Sequence, residues 1–193
     1  KYMFPKAHAV AYVMMAWRIA YCKINHPLAY YCSFFSIRAK AFSYETMCLG
    51  RATLEDALAK LREKEKLSKE KTQDKEKAVK FTPSDEASMK DLRIVQEMYA
   101  RGFSFWPIDI YKAKAKIFQI IDGKIMPALT SIEGFGESAA VLLEDAAKNG
   151  KFISKEDLKN RAKMGQSTIE KLSALGLLDG MPETSQLSIF DFT

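Results

Sequence analysis

The chain has 193 residues with a net charge of +6, and 48% of the residues are hydrophobic and 28% charged. This composition predicts a globular protein with one large domain or two small ones. It excludes a membrane-spanning helix, because the longest apolar stretch, Ala7–Tyr21, is too short and contains Arg18. Residues 1–5 do not resemble a secretory signal either, so we expect a cytoplasmic protein.

The positive charge is concentrated in residues 1–50, which hold six basic side chains and one acidic side chain. Residues 131–180 hold seven basic and eight acidic side chains, so phosphate binding in that segment would depend on local geometry. The three cysteines, Cys22, Cys32 and Cys48, lack the spacing of metal ligands. We therefore expect buried free thiols and no metal site.

The N-terminal part of the chain is predicted to be helical. Pro5 begins a helix over residues 5–23, because apolar residues recur there at three- and four-residue spacing. After a break at Asn25–Pro27, the aromatic-rich residues 28–36 predict a second, buried helix. Residues 44–60 predict a third helix.

A highly charged segment follows at residues 60–80, with nine basic and five acidic side chains. Opposite charges at such short spacing indicate a solvated helix or a mobile insertion. An arm that contacts DNA is the alternative.

Residues 82–130 predict one helix and one β-hairpin. Thr82 and Pro83 are typical of a helix start, and Gly102 follows the last helical residue. Asp122-Gly123 is a strong hairpin turn signal between the short apolar segments 118–121 and 124–126.

The segment 131–180 predicts three short helices, over residues 137–149, 154–163 and 167–175. Before the first of these helices, Gly134 and Gly136 flank Phe135 in a short turn. Glycines there bring backbone N–H groups close to a ligand, and the N-terminus of the following helix attracts phosphate. An ordinary tight turn before a helix is the alternative.

A second turn at Gly165 lies between the other two helices, and the pair of turns resembles a tandem helix-hairpin-helix fold. Such folds hold the duplex backbone without reading sequence. This turn has one glycine instead of two, so Gly165 either contacts phosphate or serves packing alone.

The last residues, 181–193, form a polar tail that nevertheless contains a compact apolar group. Its pentapeptide Gln186-Leu187-Ser188-Ile189-Phe190 resembles the bacterial sliding-clamp binding motif, with Ile189 where leucine is commoner. Exposed apolar residues of this kind are explained by a partner's pocket. The alternative is a tail that folds back on its own domain.

The whole chain resembles the C-terminal part of the PolC-type bacterial DNA polymerase III family. Four segments carry the resemblance: Tyr2–Ala9, Glu97–Phe103, Asp109–Tyr111 and Phe152–Leu158. It implies a mostly α fold with a small β-hairpin, in which a helical fingers segment precedes the tandem helix-hairpin-helix domain. By the same resemblance, Tyr2 would contact the nascent base pair, and Lys6 or His8 the incoming deoxynucleoside triphosphate. An ordinary helix residue is the alternative for His8, and a surface charge for Lys6.

The resulting division of the chain has five parts: end of the fingers (1–59), charged insertion or linker (60–81), connecting segment (82–130), tandem hairpins (131–180) and clamp-binding tail (181–193).

Residues 1–50 contain one acid, Glu45, and no Asp-x-Asp occurs. Because polymerases hold magnesium on clustered carboxylates, we expect no catalytic residue here and no polymerase activity of the chain alone. A stand-alone adaptor that binds DNA and recruits a clamp is the main alternative, and a DnaE-type polymerase is another.

Overall fold

The computed structural model describes residues 5–69 and 80–184 of the chain. These residues are mostly helical, with one small antiparallel sheet, as the sequence predicts. In chain order the elements are α1 (Lys6–Asn25), α2 (Pro27–Ile37), α3 (Tyr44–Met47), α4 (Arg51–Lys69), α5 (Pro83–Ala100), β1 (Gln119–Ile121), β2 (Lys124–Met126), α6 (Glu137–Lys148), α7 (Lys155–Arg161) and α8 (Gln166–Ala174).

The β-hairpin forms where its turn sequence predicts it. Asp122 and Gly123 have φ values of 46° and 73°, and two successive positive φ values are characteristic of a type I′ turn. Ile121 pairs with Lys124 directly beside this turn. The prediction is therefore confirmed to within one residue at the start of β1.

Helix α5 is fixed locally at its N-terminus by a capping box. The Thr82 hydroxyl accepts from the Asp85 N–H, and the Asp85 carboxylate accepts from the Thr82 N–H at 2.8 Å. The Lys64 ammonium and these Thr82 groups lower the pKa of Asp85 to about 2. Lys64 belongs to α4, so the same carboxylate also joins α4 to the start of α5 at 2.7 Å.

The prediction of one continuous helix over residues 44–60 is wrong. The chain forms the four-residue α3 and then α4, separated by Gly50 with a φ of +124°. A φ in this range cannot continue an α-helix, and glycine adopts it without a steric penalty. Helix α4 then continues to Lys69, so residues 60–69 of the charged segment are helical and largely exposed. Residues 70–79 lie outside the described part.

The described residues form two hydrophobic clusters. The N-terminal cluster is formed by α2, α4, α5 and the sheet, with Tyr31, Leu54, Val95, Met98 and Ile125 at its centre. The C-terminal cluster is formed mainly by α6, α7 and α8, with Ile132, Leu143, Leu158 and Leu172 at its centre.

Helix α3 contributes a side chain to each cluster. Tyr44 is 2% exposed in the C-terminal cluster, and Met47 is 1% exposed in the N-terminal cluster. The Tyr44 hydroxyl also accepts from the Ile108 N–H at 3.4 Å. Because Tyr44 and Met47 lie within one turn of helix, neither cluster can shift without disturbing the other.

Helix α1 lies largely outside both clusters. Its predicted apolar face is present, but Val10, Val13, Met14, Trp17 and Tyr21 are between 51% and 75% exposed. The helix is held near its C-terminal end, where the Lys23 ammonium pairs with Glu97 at 2.7 Å. Arg101 also donates to the Lys23 carbonyl oxygen at 3.0 Å.

Replacing Tyr44 by alanine is expected to destabilise the protein by about 3–5 kcal/mol, because it leaves a cavity where the two clusters meet. Tyr44→Phe is the matched control, since it removes only the hydroxyl and should cost at most ~1.5 kcal/mol. Urea unfolding of the two variants measures the difference. Equal stabilities would show that α3 does not join the two clusters.

Candidate nucleic-acid interface

The first glycine turn lies between the 3-10 turn Leu129–Ser131 and α6. Gly134 has a φ of +72°, and Gly136 is the N-cap of α6 with φ −64° and ψ 151°. Between them, Phe135 is 6% exposed and packs into the C-terminal cluster. Gly136 has no side chain with which to cap α6. The first residues of α6, Glu137 and Ser138, are exposed, and within the described part of the chain no side chain accepts from the N–H groups of this first turn.

The second turn shares two backbone features with the first, a residue of positive φ and, two positions later, an N-cap glycine with extended backbone, although its Met164 N–H donates to the Lys159 carbonyl oxygen whereas the Phe135 N–H donates to that of Ile132. Lys163 has a φ of +50°, Met164 is 6% exposed, and Gly165 is the N-cap of α8 with φ −72° and ψ 157°. Lys163 therefore corresponds to Gly134, and Gly165 corresponds to Gly136. One glycine is enough in this turn because a lysine adopts the left-handed conformation.

Sequence reasoning missed Lys163 because the second turn was compared with the first by its glycines alone. The signal that could have found it is the shared order of a buried apolar residue followed by an N-cap glycine, Phe135-Gly136 and Met164-Gly165. Aligning the turns on these pairs places Lys163 opposite Gly134.

Lysines lie beside both turns, although residues 131–180 are nearly neutral overall. At the first turn, Lys171 lies 3.7 Å from the position that a Cβ of Gly134 would occupy, and Lys116 pairs with Glu137. At the second turn Lys163 is exposed, and Lys159 donates to the Gln166 side chain at 3.0 Å. Each turn thus combines backbone donors, a helix N-terminus and nearby ammonium groups, which together suit an anion.

The chain beyond α8 returns to the start of α7. The Lys155 N–H donates to the Pro182 carbonyl oxygen at 2.8 Å, and the Glu156 N–H donates to the Glu183 carbonyl oxygen at 3.1 Å. The Lys155 ammonium also pairs with the Glu183 carboxylate at 2.6 Å. The pentapeptide Gln186–Phe190 begins a few residues later and lies outside the described residues.

The candidate nucleotide contacts lie on a different part of the molecule from the two turns. Lys6 and His8 are exposed in the first turns of α1, where the His8 ring packs 4.4 Å from the Tyr12 ring. Tyr2 lies outside the described residues. The structure therefore brings Gly134, Gly136 and Gly165 onto one domain and leaves Lys6 and His8 on a separate helix.

The three cysteines are free thiols in the described structure, but the expectation that they are buried is wrong for Cys22, which is exposed, and holds only in part for Cys32 and Cys48, which are partly buried. Residues 5–69 and 80–184 contain no group of three or more His, Cys, Asp or Glu side chains arranged to hold a metal ion. Within the same ranges, no helix has the length and apolarity needed to cross a bilayer.

Comparison with known proteins agrees with this geometry. The family described as "helix-hairpin-helix motif" matches residues 102–187. The chain contains a helix-hairpin-helix domain. Its two turns are the segments Ile132–Gly136 and Arg161–Gly165, which precede α6 and α8.

Similarity to larger proteins extends beyond that domain. The chain is 42% identical over 191 residues to the PolC-type DNA polymerase III of Streptococcus thermophilus. It is 41% identical over 197 residues to the protein of the same name from Streptococcus pneumoniae, and 43% identical over 192 residues to that from Streptococcus mutans. Each alignment covers 99% of this chain and 12% of the relative. The chain thus resembles one segment of these much longer proteins.

Lys163→Gly should stabilise the domain by up to ~1 kcal/mol relative to Lys163→Ala, because alanine keeps the unfavourable positive φ and glycine does not. Both variants lose the same charge, so the comparison isolates the backbone effect. Thermal unfolding measures it. A Lys163→Gly variant no more stable than Lys163→Ala would mean that position 163 carries no strain and that the two turns differ.

Proposed function

We propose that the chain is the duplex-binding segment of a replicative DNA polymerase, and that its tandem turns hold the DNA backbone without reading sequence. The observation that carries this proposal is the feature that both turns share, a residue of positive φ two positions before an N-cap glycine. Two equivalent turns, each before an uncapped helix N-terminus, suit two phosphates of one duplex. The names of the relatives support a polymerase of the PolC type as the parent and argue against both the stand-alone adaptor and the DnaE-type alternative.

In this proposal the turns bind phosphate through the placement of their backbone N–H groups and not through a high positive charge. Backbone N–H groups donate to phosphate oxygens, and the helix dipoles of α6 and α8 add partial positive charge. Few cations take part, because two of the four lysines beside the turns are already paired with carboxylates, Lys116 with Glu137 and Lys171 with Glu45. Contacts to phosphate alone position a protein on DNA and carry no sequence information.

The chemistry of polymerisation is proposed to lie elsewhere in the parent protein. Its magnesium ions and their carboxylate ligands would come from outside this chain, which would by itself be inactive. Lys6 and His8 on α1, and Tyr2 before it, would face the incoming deoxynucleoside triphosphate and the nascent pair. The exposure of Lys6 and His8 is compatible with that role. The parent would work in the cytoplasm.

The tail is proposed to dock on a sliding clamp through Gln186, Leu187, Ser188, Ile189 and Phe190. The carbonyl oxygens of Pro182 and Glu183 accept hydrogen bonds from the first two N–H groups of α7, so the chain just before the peptide is fixed to the domain. A tether of this kind raises the effective concentration of a weakly binding peptide at its partner.

Gly136→Val should weaken duplex binding by about 1–3 kcal/mol, because the side chain covers the N–H donors of α6. The fold should tolerate it, since Gly136 has an ordinary φ and no atom lies within 4 Å of an added Cβ. Gly165→Val should act similarly at the second turn. Fluorescence anisotropy with duplexes of unrelated sequence measures both effects, and the affinity should fall with salt along a shallow slope.

Ile153→Ala is the matched control for this experiment, because Ile153 is 70% exposed at the opposite end of α6 from the first turn. It should bind duplex DNA as the unmodified chain does. If folded Gly136→Val and Gly165→Val also bind normally, the turns are structural and the proposed function is wrong.

A peptide of residues 183–193 should bind a bacterial sliding clamp with micromolar affinity, or about −8 kcal/mol. Leu187 and Phe190 are its expected anchors, and burial of each should contribute about 1.5–3 kcal/mol. The double Leu187→Ala, Phe190→Ala peptide should show no binding in calorimetric titration, whereas a Thr184→Ala control should bind normally. Equal affinities of the parent and double-alanine peptides would refute clamp docking.

A further inference from the structure

The peptide groups of Glu133, the residue before Gly134, are held on both sides by distant parts of the chain. The Glu133 N–H donates to both carboxylate oxygens of Glu45, at 3.1 and 3.2 Å. Its carbonyl oxygen accepts from the Lys171 ammonium. Glu45 belongs to α3 and Lys171 to α8, so side chains from two separate helices hydrogen-bond to the backbone of one residue of the first turn.

The side chains of Glu45 and Lys171 also form an ion pair with each other. The Lys171 ammonium lies 3.3 Å from the Glu45 carboxylate, and the two side chains are 38% and 21% exposed. The Ser43 hydroxyl donates to the same carboxylate at 3.3 Å and so orients it. Glu45, Lys171 and the Glu133 backbone therefore form a closed ring of interactions directly beside Gly134.

The position of Glu45 is unfavourable for a phosphate site in simple electrostatic terms. A carboxylate beside the turn repels phosphate, and its pairing with Lys171 neutralises the nearest ammonium. The geometric effect has the opposite sign. Holding both sides of the Glu133 peptide fixes the start of the turn before DNA arrives, and such preorganisation lowers the cost of binding.

We propose that Glu45 and Lys171 are positioning residues that hold the first glycine turn in its DNA-binding conformation. The inference rests on the proposed function, because it assigns a role within the same duplex-binding site. Lys171 acts through the Glu133 backbone and does not itself contact phosphate. Helix α3 thereby connects the N-terminal cluster, through Met47, to the shape of the DNA-binding turn.

Duplex binding by the 193-residue chain and its variants provides the first test. Glu45→Gln and Glu45→Ala each remove a negative charge, so electrostatics alone would strengthen binding. The positioning role predicts weaker binding instead, by about threefold to tenfold for Glu45→Ala. Glu45→Gln should lie between that variant and the parent, since an amide oxygen still accepts from the Glu133 N–H. Glu170→Ala is the control, because it removes an equal charge from an exposed residue next to Lys171.

The salt dependence of Lys171→Met provides the second test. A lysine that contacts phosphate contributes about 0.9 to the slope of log K against log salt, whereas a positioning lysine contributes nothing. We expect lower affinity with an unchanged slope. A slope reduced by about 0.9 would make Lys171 a direct phosphate ligand and overturn its positioning role.

Amide hydrogen exchange without DNA provides the third test. Exchange at the Glu133 N–H should be faster in Glu45→Ala than in the parent, while the amides of the α8 core should be unchanged. Unchanged exchange at Glu133, or binding by Glu45→Ala as tight as the parent's, would overturn the proposal. Gly136→Val separates the two possible failures: if it weakens binding and Glu45→Ala does not, only the positioning role is lost. If neither weakens binding, the proposed function fails as well.

Discussion

The arrangement of the protein depends on one turn of helix, α3, whose side chains enter two hydrophobic clusters at once. Tyr44 is buried in the C-terminal cluster, and Met47 is buried in the N-terminal cluster. Glu45 lies between them and reaches the first glycine turn. A four-residue helix has little stability of its own, so α3 exists because both clusters hold it. In return it sets where the helix-hairpin-helix domain lies relative to the N-terminal helices.

Local signals made much of the fold predictable from sequence. The Asp122-Gly123 turn and the Thr82 capping box both form through contacts within a few residues, and so their positions could be stated without knowledge of the rest of the chain. The break at Gly50 is marked locally only by the glycine itself, which a helix can also contain. Residues 44–60 have helical periodicity throughout, and the interruption serves the burial of Tyr44 in a cluster built mainly from residues beyond 105.

The glycines of the candidate site were predictable from sequence, but the side chains that hold its turns in place were not. The spacing of Gly134, Gly136 and Gly165 indicates turns, because backbone donors are accessible only where no bulky side chain covers them. Lys163 can be recognised in the sequence only by aligning Phe135-Gly136 with Met164-Gly165, and its φ of +50° agrees with that alignment. The pair of Glu45 and Lys171 joins residues 126 positions apart, and no local pattern encodes such a contact. The exposure of α1 was not predictable either, because the spacing of its apolar residues does not show whether another element packs against them.

In the proposed function, a nearly neutral domain would hold phosphate through backbone donors, and this has a physical advantage for a protein that moves along DNA. Binding by many lysines would release many counterions, and its strength would change steeply with salt. Donors fixed in two turns would contact phosphates that recur identically along every duplex, so each advance of the DNA would restore the same contacts. Binding of this kind depends on accurate geometry more than on charge. The proposed positioning of Glu133 from both α3 and α8 would meet that requirement, even though it places the Glu45 carboxylate close to the proposed phosphate position.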